Sequence, residues 1–357
     1  MKNDQQNPSV VKGRGAQTNP NNRFAIEAYQ IDHPEAIDDW EKGTIHTQFF
    51  QENGKSIVNK VTSDDLPFSY SLNPYQGCEH GCAYCYARPT HEYYGFSAGT
   101  DFESKIVVKK KAPELLRDLL SSKKWQPATI SLSGNTDCYQ PIERKLQITR
   151  KILEICLEYK NPVAIITKNV LILRDLDLLQ ELQKSKLVSV FTSLTSMDEE
   201  LRRKLEPRTS KYTDRLKIIE TLSKSNIHTG VMNAPIIPGI NDTHMYEVLR
   251  RAALAGAKSA GYTIVRLNGA VNTIFKNWLA LHFPDRAQKV WNLIADCHGG
   301  QVSDSRSGIR MKGEGQIAEI IQQQFNLYIK QFHLNVEKFE LNTADFVRLK
   351  PGQLRLF

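Results

Sequence analysis

Three of the chain's six cysteines, Cys78, Cys82 and Cys85, fall within eight residues in the segment NPYQGCEHGCAYCYARP. A disulfide framework spreads its pairs along a short secreted chain, whereas a tight triplet in a long one points to metal binding or redox work. The C-x3-C-x2-C spacing differs from the paired C-x2-C units of zinc ribbons. Three thiolates suit a cubane 4Fe–4S cluster, because soft sulfur matches its iron and the fourth iron is left open to an exogenous ligand. Zinc stays open on spacing alone, with His80 inside the loop and His91 just after it as further ligands. Gly77 and Gly81 mark the segment as a turn rather than a core element, which argues against three merely buried thiols.

With an aromatic residue, Tyr84, before its last cysteine, this motif resembles the radical S-adenosylmethionine signature. The resemblance implies that the three cysteines hold a 4Fe–4S cluster and that S-adenosylmethionine chelates the open iron through its amino and carboxylate groups. It also implies reductive cleavage to a 5′-deoxyadenosyl radical that takes hydrogen from a substrate, with an electron donor such as flavodoxin or ferredoxin. The segment TDCYQPIE (136–143), Lys168 and EPR (206–208) resemble the spore photoproduct lyase-like branch. On that resemblance Lys168 and Ser193 contact the cofactor, with Tyr84, Asn135, Thr136 and Ala234 nearby. A lysine directly after an apolar strand also needs an anionic partner, which a methionine carboxylate provides. Cys138, just past the second strand, is a candidate catalytic hydrogen donor at the barrel mouth; its alternative is a small buried hydrophobe. Cys156 reads as packing, and Cys297 as a helix end before Gly-Gly, although His298 beside it leaves metal binding open.

These residues need a scaffold. Apolar runs at 69–73, 128–134, 163–169, 187–194, 228–237 and 260–267 alternate with helical patterns at 112–123, 144–159, 175–185, 213–225 and 244–256. That alternation predicts β/α units and a parallel sheet. An open doubly wound sheet has the same local pattern; the resemblance selects a partial (β/α)6 TIM-type barrel. Small and polar groups recur where each strand ends, the place where such barrels carry their active sites. The expected organisation is a flexible basic arm (1–30), a lead-in (31–64), the barrel (65–270), a helical C-terminal extension closing its open side (271–345) and a tail (346–357).

The 357 residues carry 47 Lys and Arg against 39 Asp and Glu, a net charge of +8, with 40% hydrophobic residues, which suits a globular chain. Even VAIITKNVLIL (163–173) is interrupted by Lys168, so no membrane span is expected, and the polar N-terminus is no signal peptide; a cytoplasmic location follows. Residues 105–124 and 202–217 each hold seven basic against two acidic side chains, a surface that attracts a phosphate backbone if it converges at the mouth. The terminal QLRLF, Gln353 to Phe357, resembles the peptide by which bacterial repair and replication proteins dock on the sliding clamp. Three functions are open at this point: a radical enzyme acting on nucleic acid, by lesion repair or base modification; one acting on a peptide, protein or metabolite; and a non-catalytic zinc-binding nucleic-acid module.

Overall fold

The computed structural model describes residues 11–24 and 45–349. The strands are β1 (Gln48–Gln51), β2 (Val58–Lys60), β3 (Tyr70–Leu72), β4 (Tyr75–Gln76), β5 (Lys105–Val108), β6 (Ile130–Leu132), β7 (Val163–Thr167), β8 (Val188–Ser193), β9 (His228–Ile236) and β10 (Ser259–Ile264). β3, β6, β7, β8, β9 and β10 lie side by side in that order, all parallel, and β2 pairs antiparallel on the β3 edge. This is the expected partial (β/α)6 barrel, all six C-terminal strand ends opening on one side. A small second sheet, β1-β5-β4, stands beside it.

Strand periodicity sorts the side chains. Val163, Ile165, Val188 and Val190 point outward into a core shared with Leu116, Leu120, Ile152, Leu179 and Leu182 of the surrounding helices. Burying each such side chain stabilises the fold by about 1.5–3 kcal/mol. On the other face, Ser71, Ser131, Ala164 and Ser189 pair across one register row. That row therefore carries only small side chains on this face of the sheet.

The helical pattern over 144–159 divides into Glu143–Leu146 and Ile148–Glu158, because Gln147 takes a left-handed conformation. The Glu143 carboxylate accepts the Thr149 N–H at 3.1 Å, capping the second helix. Helices also form over Val271–His282, Ala287–Asp296 and Gly315–Gln331 in the C-terminal region, the last packing on Met245–Leu254.

Two expectations change. The described part of the N-terminal arm, 11–24, is no solvated tail: Arg14 is 6% and Ala16 0% exposed. Its amides and the Arg14 guanidinium find partners on Glu103, which free solution would not supply. The open side of the barrel is bridged by a loop rather than a helix. Asp65, before β3, pairs with Arg310 at 2.5 Å and accepts the Gly308 N–H at 2.6 Å, while Met311 O accepts the Ile264 N–H of β10 at 2.9 Å. Residues 342–349 return to the opposite end, where Val347 N bonds Tyr159 O at 2.9 Å and Leu349 is buried. The QLRLF motif (353–357) lies outside the described residues. Among the described residues, no helix is long and apolar enough to cross a membrane.

Candidate active site

The cysteine loop leaves β4 and is held by its backbone. Cys78 N donates to Phe102 O at 2.8 Å and Ala83 N to Leu205 O at 3.0 Å, tying the loop to two neighbouring segments. Gln140 brackets its start, accepting the Glu79 N–H at 3.0 Å and donating to Gly77 O at 3.1 Å. Gly81 sits at φ +67°, and a Cβ there would come within 2.7 Å of a Glu103 carboxylate oxygen, so the turn admits only glycine without a shift.

All three cysteines are free thiols, Cys78 and Cys82 buried and Cys85 half-buried. Burial first, then Asp137 and the neighbouring Cys82 and Cys85, pushes the Cys78 thiol well above its ordinary range. Burial and Glu206 push Cys82 up to about 12. The thiols sense one another, and cationic iron is what would ionise them. Among the described residues no three His, Cys, Asp or Glu side chains are set to grip a single metal ion. The donor set, three soft sulfurs on one glycine-turned loop, fits an iron–sulfur cluster.

Two carboxylates, Glu206 buried and Asp137 half-buried, organise the strand ends around this loop. Asp137, after β6, accepts the Thr167 hydroxyl and the Lys168 N–H, each at 2.8 Å, and lies 3.4 Å from His80 Nδ1. It thus joins β6, β7 and the cysteine loop. Glu206 accepts the Tyr84 hydroxyl and pairs with Arg215 at 2.7 Å, both charged groups being 0% exposed. Arg215 also donates to Ser193 O at 3.0 Å, so this chain fixes the end of β8 against the loop. Burial opposes the Glu206 charge, yet Arg215 and Lys168 hold its carboxyl below the usual range.

Lys168 follows β7 as expected. Burial works against its charge, but Cys82 and Glu206 raise its affinity for the proton, so it stays cationic beside the loop. Ser193 ends β8, and Ala234 sits near the end of β9, where pairing with β10 becomes irregular. Tyr84 is 7% exposed, its hydroxyl taken by Glu206. Asn135 and Thr136 turn toward the scaffold: Asn135 Nδ2 donates to Gln76 and Thr90, each at 3.1 Å, and the Thr136 hydroxyl donates to Tyr75 O at 2.6 Å.

Cys138 is not at the mouth. It is 0% exposed in the core beside Leu72, Tyr75 and Ile152. Its N–H donates to Ser133 Oγ at 2.8 Å, a bond that folds the turn back so that Asp137 faces the site and the next side chain faces the core. Cys156 and Cys297 are likewise fully buried. The basic stretches are partly neutralised: Lys105 pairs with Asp101, Arg117 with Glu158, Arg202 with Glu199, Lys204 with Glu200 and Arg215 with Glu206.

Asp137, Gln140, Glu143 and Glu206 were visible in the sequence only as parts of motifs. Glu143 accepts the Tyr75 hydroxyl and pairs with Arg174 at 2.9 Å, while Glu103 carried no signal. Tyr86, directly after Cys85, is 51% exposed, and its hydroxyl donates to Gly134 O at 2.6 Å, bridging the loop to the end of β6.

A cysteine triplet at the C-terminal mouth of a partial parallel barrel is the arrangement of an enzyme that pairs an iron–sulfur cluster with a bound cofactor. The Radical SAM superfamily model matches residues 72–252, and the chain belongs to that family. An uncharacterised protein of Mycobacterium tuberculosis is 38% identical over 234 residues, covering 65% of this chain and 69% of the relative. One of Methanocaldococcus jannaschii is 27% identical over 226 residues, covering 63% of this chain and 81% of the relative. Among solved structures, spore photoproduct lyase complexed with dinucleoside spore photoproduct aligns with TM-score 0.53 at 16% identity, covering 76% of each chain. A doubly substituted mutant of that lyase, with bound AdoMet and dinucleoside spore photoproduct, aligns with TM-score 0.55 at 14% identity, covering 80% of this chain and 78% of its own. These likenesses establish the barrel fold. The protein is a radical S-adenosylmethionine enzyme using that cofactor and an iron–sulfur cluster, which removes the non-catalytic zinc module.

Proposed function

We propose that this enzyme acts on nucleic acid, as a lesion-repair lyase or a base-modifying enzyme, and that its cluster is of the 4Fe–4S type. The observation carrying the substrate reading is a pair at the mouth. Arg266 follows β10, half-buried, and Tyr86 follows the last cysteine with half its surface exposed. The nearby carboxylates are engaged elsewhere, Asp65 by Arg310 and Asp304 by Arg306. Arg266 makes no ion pair among the described residues; its contact is a long one to Asp304 O at 3.5 Å. Burial and Arg310 weaken its hold on a proton without discharging it. A guanidinium awaiting an anion beside an exposed aromatic ring suits a phosphate and the base it carries. The likeness to a lyase complexed with a dinucleoside photoproduct supports the same reading.

S-adenosylmethionine and the reduced cluster supply hydrogen-abstracting chemistry when bound. The chain's own part is to hold and shield. Cys78, Cys82 and Cys85 hold the cluster, and Lys168 offers the cofactor carboxylate a cation. Asp137 and Glu206 fix the strand ends around it. A target in a duplex has to be flipped or the strand distorted to reach it. Electrons come from a small donor such as flavodoxin or ferredoxin.

The test follows deuterium from labelled oligonucleotides into 5′-deoxyadenosine by mass spectrometry. Transfer, with binding that weakens as salt rises, is the expected result. Arg266→Gln should weaken binding across sequences, and Cys78→Ala should abolish cofactor cleavage. Salt-independent binding and no transfer, with transfer from a peptide or metabolite instead, would overturn the substrate reading.

A further inference from the structure

The N-terminal GRGA segment packs on the outside of the cysteine loop. Arg14 donates through Nη1 to Glu103 O at 2.6 Å and through Nη2 to Ile45 O at 2.8 Å and Thr47 Oγ1 at 3.3 Å. The Gly15 and Ala16 N–H groups donate to the two oxygens of the Glu103 carboxylate at 3.1 and 2.8 Å. That carboxylate, 0% exposed, also pairs with Arg88 at 2.5 Å. Arg88 closes the circuit by donating to Cys82 O at 3.0 and 2.8 Å. The contact is as close as backbone allows: a Cβ on Gly15 would stand 1.8 Å from Gly81 O and 3.1 Å from Ala83 N. The strap continues along the segment after the cysteines, where Thr18 O accepts the Thr100 N–H at 3.3 Å and Ser97 Oγ donates to Pro20 O at 2.6 Å.

We infer that Arg14, Gly15 and Ala16 belong to the cluster-binding site as a brace. Through Glu103 and Arg88 they lock the backbone of residues 81–83, so that the loop presents its thiols in one geometry and retains the cluster. The Glu103 carboxylate gathers a guanidinium and two amides in a dry place, where such bonds are strong and an unpaired partner is costly. These are positioning residues, because none supplies a ligand. Groups that orient metal ligands from behind typically govern retention by about 10–100-fold. The inference rests on the cluster of the family and not on the substrate reading.

The experiment uses the full chain with Gly15→Val, which drives a side chain into the Gly81 carbonyl, and Arg14→Ala, which cuts three bonds while adding no atom. Each protein is reconstituted anaerobically with iron and sulfide, and the release of iron to a ferrous chelator is timed without S-adenosylmethionine or nucleic acid. Release about 10–100-fold faster than wild type is expected in both, with far-ultraviolet circular dichroism of the cluster-free proteins unchanged. Arg14→Ala decides the matter if Gly15→Val does not fold. Asn19→Ala severs two exposed bonds with Asp101 farther along the strap, each 3.0 Å long, and is expected to release iron at the wild-type rate. Wild-type release in Arg14→Ala, or equal acceleration in Asn19→Ala, would overturn the assignment. No nucleic acid enters the measurement, so its failure leaves the substrate reading standing.

Discussion

Glu206 and Arg215 meet where neither touches water, and the Tyr84 hydroxyl completes their contact. Removing one charge strands the other, so Glu206→Ala should cost about 3–5 kcal/mol in a denaturant titration. Glu206 is held below its ordinary range in the fold despite burial, chiefly by Arg215 and then Lys168. Its contribution is therefore present above the ordinary carboxyl value of 4.5 and is lost as pH falls through the lower folded value. Glu206→Gln should flatten that acid limb, as measured by unfolding at successive pH values. Cys138 makes the opposite point. A thiol in the core beside Tyr75 and Ile152 serves packing, so Cys138→Ala should leave the substrate-derived product unchanged and lower stability by about 1 kcal/mol. An altered product with cofactor cleavage intact would return Cys138 to the chemistry.

The cysteine loop and the segment after it, through Ser104, form the element on which the site depends. It buries two histidines. His80 lies near Asp137, while His91 is 0% exposed beside Phe96 and Phe102, with no hydrogen bond on either ring nitrogen among the described residues. Burial pulls both down to about 4 from an ordinary 6.5. The unfolded chain then binds more protons between those values, so stability falls as pH drops from 6.5 toward 4, by up to about 1.4 kcal/mol per pH unit for each histidine. His91→Leu should remove its share of that slope in the cluster-free protein; an unchanged slope would mean that His91 already bonds in the fold. The element was only half legible. Its cysteines and Gly81 were plain, but β5 lay hidden in a lysine-rich stretch, and nothing in the sequence marked Glu103.

At the scale of the molecule, the barrel is an incomplete ring, and its open seam is spanned by the contact of Asp65 with Gly308 and Arg310. Asp65→Ala should raise hydrogen exchange across residues 303–313 while leaving β6–β9 protected, since strand pairing there does not depend on the seam. Uniform exchange in both regions would mean that the seam supports the whole ring. The charge of +8 also takes on a different distribution in three dimensions. Arg202, Arg215 and Lys204 are occupied by glutamates in the fold, whereas Arg266, which no charge run marks, stands at the mouth without an ion-pair partner among the described residues.

The sequence by itself singled out the cysteine triplet, because the spacing of Cys78, Cys82 and Cys85 is local to one loop. It also determined the six parallel strands, since alternating apolar runs and amphipathic stretches are local periodicities that burial enforces. Tertiary structure decided what depends on long-range direction and neighbours. Cys138 and Asp137 are adjacent in the chain and face opposite sides of a turn, so one joins the core and the other the site. Arg14 and Glu103, 89 residues apart, meet behind the cysteines. No local pattern records such a meeting, because it exists only once the barrel has brought its ends together.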